Sequence, residues 1–204
     1  MSDIGLVFMA LLAYLFGATP TSYLAGKLGR GIDLRDHGSK NLGATNVYRV
    51  LGWRYAIPVG LIDVAKGAIA VEILGPWANG PAWFPVALGT AAVLGHVYSP
   101  YVRFKGGKGV ATAAGMLLGL APLALAISVP IWAATLWVFG YVSVASLTVA
   151  VLFPLWVRLT QPAHPYTLWA SVALALVIVH SHRANIRRLV EGRENRFRTR
   201  KGVA

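Results

Sequence analysis

Apolar residues in this chain run in long stretches, and the polar residues are gathered into the gaps between them. The stretches at 4–25, 55–74, 82–100, 110–121, 123–139, 142–159 and 166–182 approach the roughly 20 apolar residues that carry a helix across a bilayer. The ten-residue alternating segments of a transmembrane barrel are missing. The pattern therefore predicts an all-α, polytopic transmembrane helix bundle forming a single domain over 1–204, with a basic cytoplasmic tail at 183–204.

The gaps are of two kinds. Residues 75–81 and 161–165 contain no Lys or Arg, as expected of outer loops. By contrast, 17 of the 19 Lys and Arg residues fall in the blocks 27–54, 103–108 and 183–201. Cytoplasmic loops attract such an excess. If all three blocks are cytoplasmic, an even number of crossings separates each from the next. Two spans lie between 55 and 100, and two or four between 110 and 182, so the total is five or seven. Seven is favoured, with breaks at Pro122 and Gly140-Tyr141 and with 110–121 too short to cross alone. Either count puts the N-terminus outside and the C-terminus in the cytoplasm. The opening Met1-Ser2-Asp3-Ile4 lacks the basic start of a cleavable signal peptide, so the first apolar segment is expected to stay in the membrane.

Composition agrees: 56% of residues are hydrophobic, 13% are charged, and the mean hydropathy is +0.60. A soluble domain of this size needs more polar surface. The net charge of +12 would ordinarily suggest nucleic acid, but its placement between apolar spans points to topology and to anionic lipid or substrate. No nucleic-acid partner is expected. The absence of cysteine excludes disulfides, thiolate metal sites and a thioester acyl-enzyme. Gly115 and Gly119 are spaced for close helix packing inside the bundle.

Candidate chemistry lies in the basic blocks. Phe104-Lys105-Gly106-Gly107-Lys108-Gly109 is a charged glycine hinge between apolar spans, suited to an anion nest, and a phosphate site is expected there. It is not a nucleotide P-loop, because Gly109 rather than Ser or Thr follows Lys108 and Val102 replaces the leading glycine. The first block holds Gly38-Ser39-Lys40-Asn41-Leu42-Gly43-Ala44-Thr45-Asn46-Val47-Tyr48-Arg49, rich in hydroxyls and amides able to bind a polar ligand. In the third block His182 and Asn185 share a helix face with Leu189. Carboxylates are too few to complete a metal site there, and no metal or other cofactor is expected. Asp63 and Lys66, within a span, are expected to pair with each other.

These motifs resemble the PlsY family, the bacterial membrane glycerol-3-phosphate acyltransferases that use acyl phosphate. The likeness runs through Gly17-Ala18-Thr19-Pro20 to Lys27, Asp33-Leu34-Arg35, the Gly-Ala-Thr-Asn run to Arg49, and Asp63 to Gly67. It continues through Gly95-His96 to Gly109 and His182-Arg183-x-Asn185 with Glu194. Lys40 stands where the family usually has glycine.

The resemblance implies a multi-pass protein of the bacterial inner membrane, working at the cytoplasmic face and active as a monomer. Its implied reaction is transfer of a fatty acyl group from acyl phosphate to the 1-hydroxyl of sn-glycerol 3-phosphate, releasing inorganic phosphate and lysophosphatidic acid. Ser39, Arg49, Lys108, His182 and Asn185 are the expected catalytic residues; Asn41, Thr45, Asn46, Lys105, Gly106, Gly107 and Gly109 the substrate-binding ones; Asp63, Lys66 and Glu194 structural. The proton acceptor stays open between the substrate phosphate and His182. There is no Gly-x-Ser-x-Gly elbow, and no histidine has an aspartate five positions later, as acyl-CoA-dependent relatives of the chemistry require. A transporter for phosphate or a phosphorylated metabolite is the alternative, but no internal repeat supports it.

Overall fold

The computed structural model describes residues 2–197, and among these residues it contains helices and no strand. The helices are α1 (Asp3–Gly17), α2 (Thr21–Arg30), α3 (Ala44–Leu51), α4 (Trp53–Glu72), α5 (Leu74–Ala78), α6 (Phe84–Val97), α7 (Val110–Leu120), α8 (Pro122–Phe139), α9 (Val142–Thr160), α10 (Pro165–Ser181) and α11 (Arg183–Val190). A 3-10 turn, Pro100–Val102, precedes the glycine hinge. Local chemistry sets the breaks. Gly31 and Gly140 end α2 and α8 in left-handed conformation, while Pro122 and Pro165 open α8 and α10, where a missing N–H costs nothing.

The seven apolar stretches correspond to α1–α2, α4, α6, α7, α8, α9 and α10. Among the described residues three runs, α1–α2, α8 and α9, are long and apolar enough to cross a membrane on their own, and α10 with α11 makes a fourth if that pair, bent by 56°, is one span. The first stretch differs from expectation. It is interrupted at Ala18–Pro20, because Pro20 has no N–H to continue the ladder. The Thr19 carbonyl exposed by the break accepts a hydrogen bond from Lys66 Nζ at 2.5 Å.

Helix α7 has 11 residues, about 16 Å of length, and it lies tightly against α4. A β-carbon on Gly115 would fall 1.8 Å from the Val64 carbonyl oxygen, and one on Gly67 would fall 1.9 Å from that of Thr112. The two backbones touch, so the glycine spacing serves packing within the bundle. Val93, Met116, Leu117, Phe153, Val157, Leu174 and Ile178 form the main core between α6, α7, α9 and α10. A second cluster, including Leu34, Leu42, Val47, Leu51 and Val102, holds the α2–α3 loop against the hinge.

Candidate active site

Residues from all three basic blocks meet at the mouth of one cavity of about 360 Å³. Its polar end is lined by Ser39, Asn41, Thr45, Asn46, Arg49, Lys108, Gly109, His182, Asn185 and Glu194. Its other end runs between α7, α8, α9 and α10 past Leu117, Leu125, Trp132, Ala150, Phe153 and Leu174. Small residues make this room: Ala113, Ala114, Ala150 and Ala175 all line it. The result is one continuous volume with a cationic head and an apolar tail.

The hinge works differently from the sequence expectation. Gly106 and Gly107 do not need positive φ; in the hinge only Gly109 among the glycines has one, at 80°. They are required by close approach instead. A β-carbon on Gly106 would meet the His96 carbonyl oxygen at 2.0 Å, and one on Gly107 would meet His96 Nε2 at 2.2 Å and the Leu42 carbonyl oxygen at 2.3 Å. Their N–H groups donate to the carbonyls of Val97 and His96, so these two amides are not free for an anion. Lys105 is exposed, and neither it nor Gly106 or Gly107 lines the cavity. What faces the cavity is Lys108 together with Gly109 and Val110, where the backbone enters the N-terminus of α7. The start of a helix favours negative charge.

Asn46 also differs. Its side-chain oxygen accepts from the Ser39 N–H at 2.7 Å, and its Nδ2 donates to the carbonyls of Leu34 and His37. The amide is thus occupied in shaping the loop that presents Ser39 and Asn41. Lys40, between those two, has φ 59°. That left-handed region explains why glycine would be the ordinary choice at this position.

His182 lies between α10 and α11 and is buried. Its Nδ1 is 2.8 Å from the Ile178 carbonyl oxygen. A carbonyl only accepts, so Nδ1 carries the proton and Nε2 is left as an acceptor. Burial, then the nearby Lys108 charge, pushes the imidazole down to about 4, so it is neutral at physiological pH. Burial likewise pushes the Lys108 ammonium down to about 8.

Asn185 is similarly polarised. Its Nδ2 donates to Glu194 Oε1 at 2.6 Å, while its Oδ1 is buried and has no hydrogen-bond partner among the described residues. The site therefore offers two acceptors, His182 Nε2 and Asn185 Oδ1, on one wall. Glu194 also accepts from Ser143 Oγ at 2.9 Å and from Arg188 Nε at 2.8 Å. Burial pushes its carboxyl up, but the bonds from Asn185, Arg188 and Ser143 outweigh this and hold it below the ordinary value.

Sequence reasoning missed the strap that follows. Residues 194–197 turn back across the cavity mouth. The Asn195 carbonyl accepts from Arg49 at 3.3 Å, Phe197 stacks on Tyr48 with centroids 5.4 Å apart, and the Phe197 N–H donates to the Gly140 carbonyl. Ser143 and Asn195 belong to no motif, and only the fold brings them here. Residues 183–197 of the expected basic tail are thus folded onto the bundle, and 198–204 lie outside the described residues.

Fold and cavity together define an integral membrane protein of helical type, with a cationic pocket leading into an apolar one. The chain belongs to the glycerol-3-phosphate acyltransferase family, whose model matches residues 7–192. A glycerol-3-phosphate acyltransferase of Desulforudis audaxviator is 45% identical over 98% of this chain and 100% of its own. One from Chlorobium luteolum is 41% identical, covering 94% and 97%. Among solved structures, the crystal structure of PlsY, an integral membrane glycerol 3-phosphate acyltransferase, in its glycerol 3-phosphate form superposes with a TM-score of 0.87 at 37% identity, covering 95% of this chain and 96% of the other. The lysophosphatidic acid form gives 0.84 at 35% identity, covering 94% of each.

Proposed function

We infer that this protein transfers the acyl group of an acyl phosphate to the 1-hydroxyl of sn-glycerol 3-phosphate, the first acylation of phospholipid synthesis. The observation that carries the reading is the single cavity whose head suits phosphate and whose tail suits a fatty chain. Arg49 and Lys108 hold phosphate, the first as a planar fork and the second as a point charge. Ser39, Asn41, Thr45 and the start of α7 supply further donors around them. His182 Nε2 and Asn185 Oδ1 accept from the glycerol hydroxyls, which fixes the diol beside the acyl carbonyl.

The 1-hydroxyl oxygen then attacks the carbonyl carbon. The bond from that carbon to the phosphate oxygen breaks, and inorganic phosphate leaves with the electron pair. The hydroxyl proton passes to a substrate phosphate, whose second ionisation lies near ~6 if it behaves like a phosphoserine. An imidazole depressed to about 4 is a weaker acceptor, so His182 positions the alcohol rather than deprotonating it.

The same reading places the site at the cytoplasmic face of the bacterial inner membrane, with α1–α2, α4, α6, α7, α8, α9 and α10 as seven crossings and the N-terminus outside. Supporting it, the polar end is built from the basic blocks. Purified protein should convert glycerol 3-phosphate with acyl phosphate and not with acyl-CoA or acyl carrier protein; turnover with acyl-CoA alone would overturn the donor assignment. A cysteine introduced at position 40 should resist an impermeant external reagent in intact cells, and labelling would reverse the orientation.

A further inference from the structure

We propose that His96 is a positioning residue for the phosphate hinge, itself held by the buried Asp63–Lys66 pair. The proposal rests on the reading of Lys108 as a phosphate-binding group. His96 sits near the end of α6 and grips the hinge from two sides. Its carbonyl accepts the Gly107 N–H at 3.1 Å, and its ring packs so closely that a β-carbon on Gly107 would lie 2.2 Å from Nε2. Gly107 immediately precedes Lys108, so a shift of the ring moves the lysine and the start of α7 together.

The ring is fixed from behind. Its Nδ1 lies 3.6 Å from Asp63 Oδ1, a polar contact longer than a hydrogen bond. That oxygen also receives Lys66 Nζ at 2.7 Å and Thr21 Oγ1 at 2.6 Å. Lys66 directs its remaining bonds to the Thr19 carbonyl and Thr21 Oγ1. Asp63 and Lys66 are each 1% exposed. The cluster therefore ties the α1–α2 break, α4 and α6 to one point on the hinge.

Packing alone would not call for these groups. Burying an ion pair carries a large desolvation cost, and apolar residues of equal volume serve stability as well or better. Asp63 and His96 also reach the wall of the substrate cavity, where Lys108 faces the same volume. A polar assembly in this place sets geometry, and misplacement of a binding group by about 1 Å can cost up to ~10²-fold.

The test compares His96→Ala, His96→Gln and the double variant Asp63→Asn/Lys66→Met, each purified as intact membrane protein, by separate KM values for the two substrates. The expected result for His96→Ala and the double variant is a KM for glycerol 3-phosphate raised about tenfold or more, with the KM for acyl phosphate changed less than about twofold. His96→Gln, which keeps a polar group against Gly107, should recover most of the loss. An unchanged glycerol 3-phosphate KM, an equal rise for both substrates, or failure of all three variants to fold would overturn the proposal. If wild type uses another acyl donor, the donor assignment fails alone; calorimetric binding of glycerol 3-phosphate to the same variants then decides the hinge claim by the same selective loss.

Discussion

Replacing His182 with Gln tests where the proton goes. In wild type, Nδ1 is committed to the Ile178 carbonyl, and burial beside Lys108 sets the imidazole at about 4. The two candidate acceptors therefore ionise in different ranges, and pH 5 separates them. A substrate phosphate with a pKa near ~6 is about one-tenth dianionic there. An imidazole at about 4 is still about nine-tenths neutral. The assay is the pH dependence of kcat/KM for glycerol 3-phosphate at saturating acyl phosphate, since this ratio reports the ionisations of free enzyme and free substrate. Wild type should fall to about one-tenth of its plateau at pH 5. His182→Gln should show a lower plateau with the same acidic limb, because the phosphate is untouched. Asn185→Ala serves as a control that removes an acceptor without removing a titrating group. A wild-type rate still near nine-tenths at pH 5, with the limb abolished in His182→Gln and turnover down about 10²–10⁴-fold, would refute the reasoning and make histidine the base.

Other consequences are equally direct. In the proposed reaction Lys108, at about 8, would bind phosphate as the cation, with its charge present below that pH and lost above it. The KM for glycerol 3-phosphate should rise about tenfold between pH 7 and pH 9, and Lys108→Arg, which keeps its charge, should flatten the rise; a flat wild-type profile contradicts this. Arg49→Ala should reduce turnover by about 10²-fold, the scale for a preorganised charge contact, and near-normal kinetics would remove it from the site. Lys40→Gly, relieving a left-handed backbone, should raise stability by roughly 0.5–1 kcal/mol, read as a higher thermal midpoint in detergent. Ala150→Phe should narrow the apolar tail and shift preference toward shorter acyl phosphates; an unchanged ratio of long-chain to short-chain turnover would remove Ala150 from the tail.

The helical bundle was legible because each apolar stretch is bounded by its own chemistry: Pro122 and Pro165 begin helices, and Gly140 ends one. The break at Ala18–Pro20 was hidden by the hydropathy on both sides, although Pro20 itself was the signal. In the site, Arg49, Lys108, His182 and Asn185 could be singled out since charged and amide groups stand out beside apolar spans, and they do converge on one cavity. Composition could not tell that Gly106 and Gly107 spend their amides on α6, because that depends on how closely the chain passes His96. Nor could it tell that the Asn46 amide is absorbed by its own loop. Ser143 had no signal at all: its part comes from Glu194, 51 residues further along the chain.

The strap at 194–197 also sets an order of assembly. Every other wall of the pocket precedes it in the chain and is synthesised earlier, yet Glu194 fixes which way the Asn185 amide points and Asn195 holds Arg49. Until that segment has left the ribosome and folded back, Arg49, Lys108 and Arg188 face one another without their shared counter-charge. A nascent chain can thus sit fully inserted in the bilayer and still lack a working catalyst. Shortening the protein before residue 198 is correspondingly different from trimming a loose end, because it removes the piece that closes the pocket.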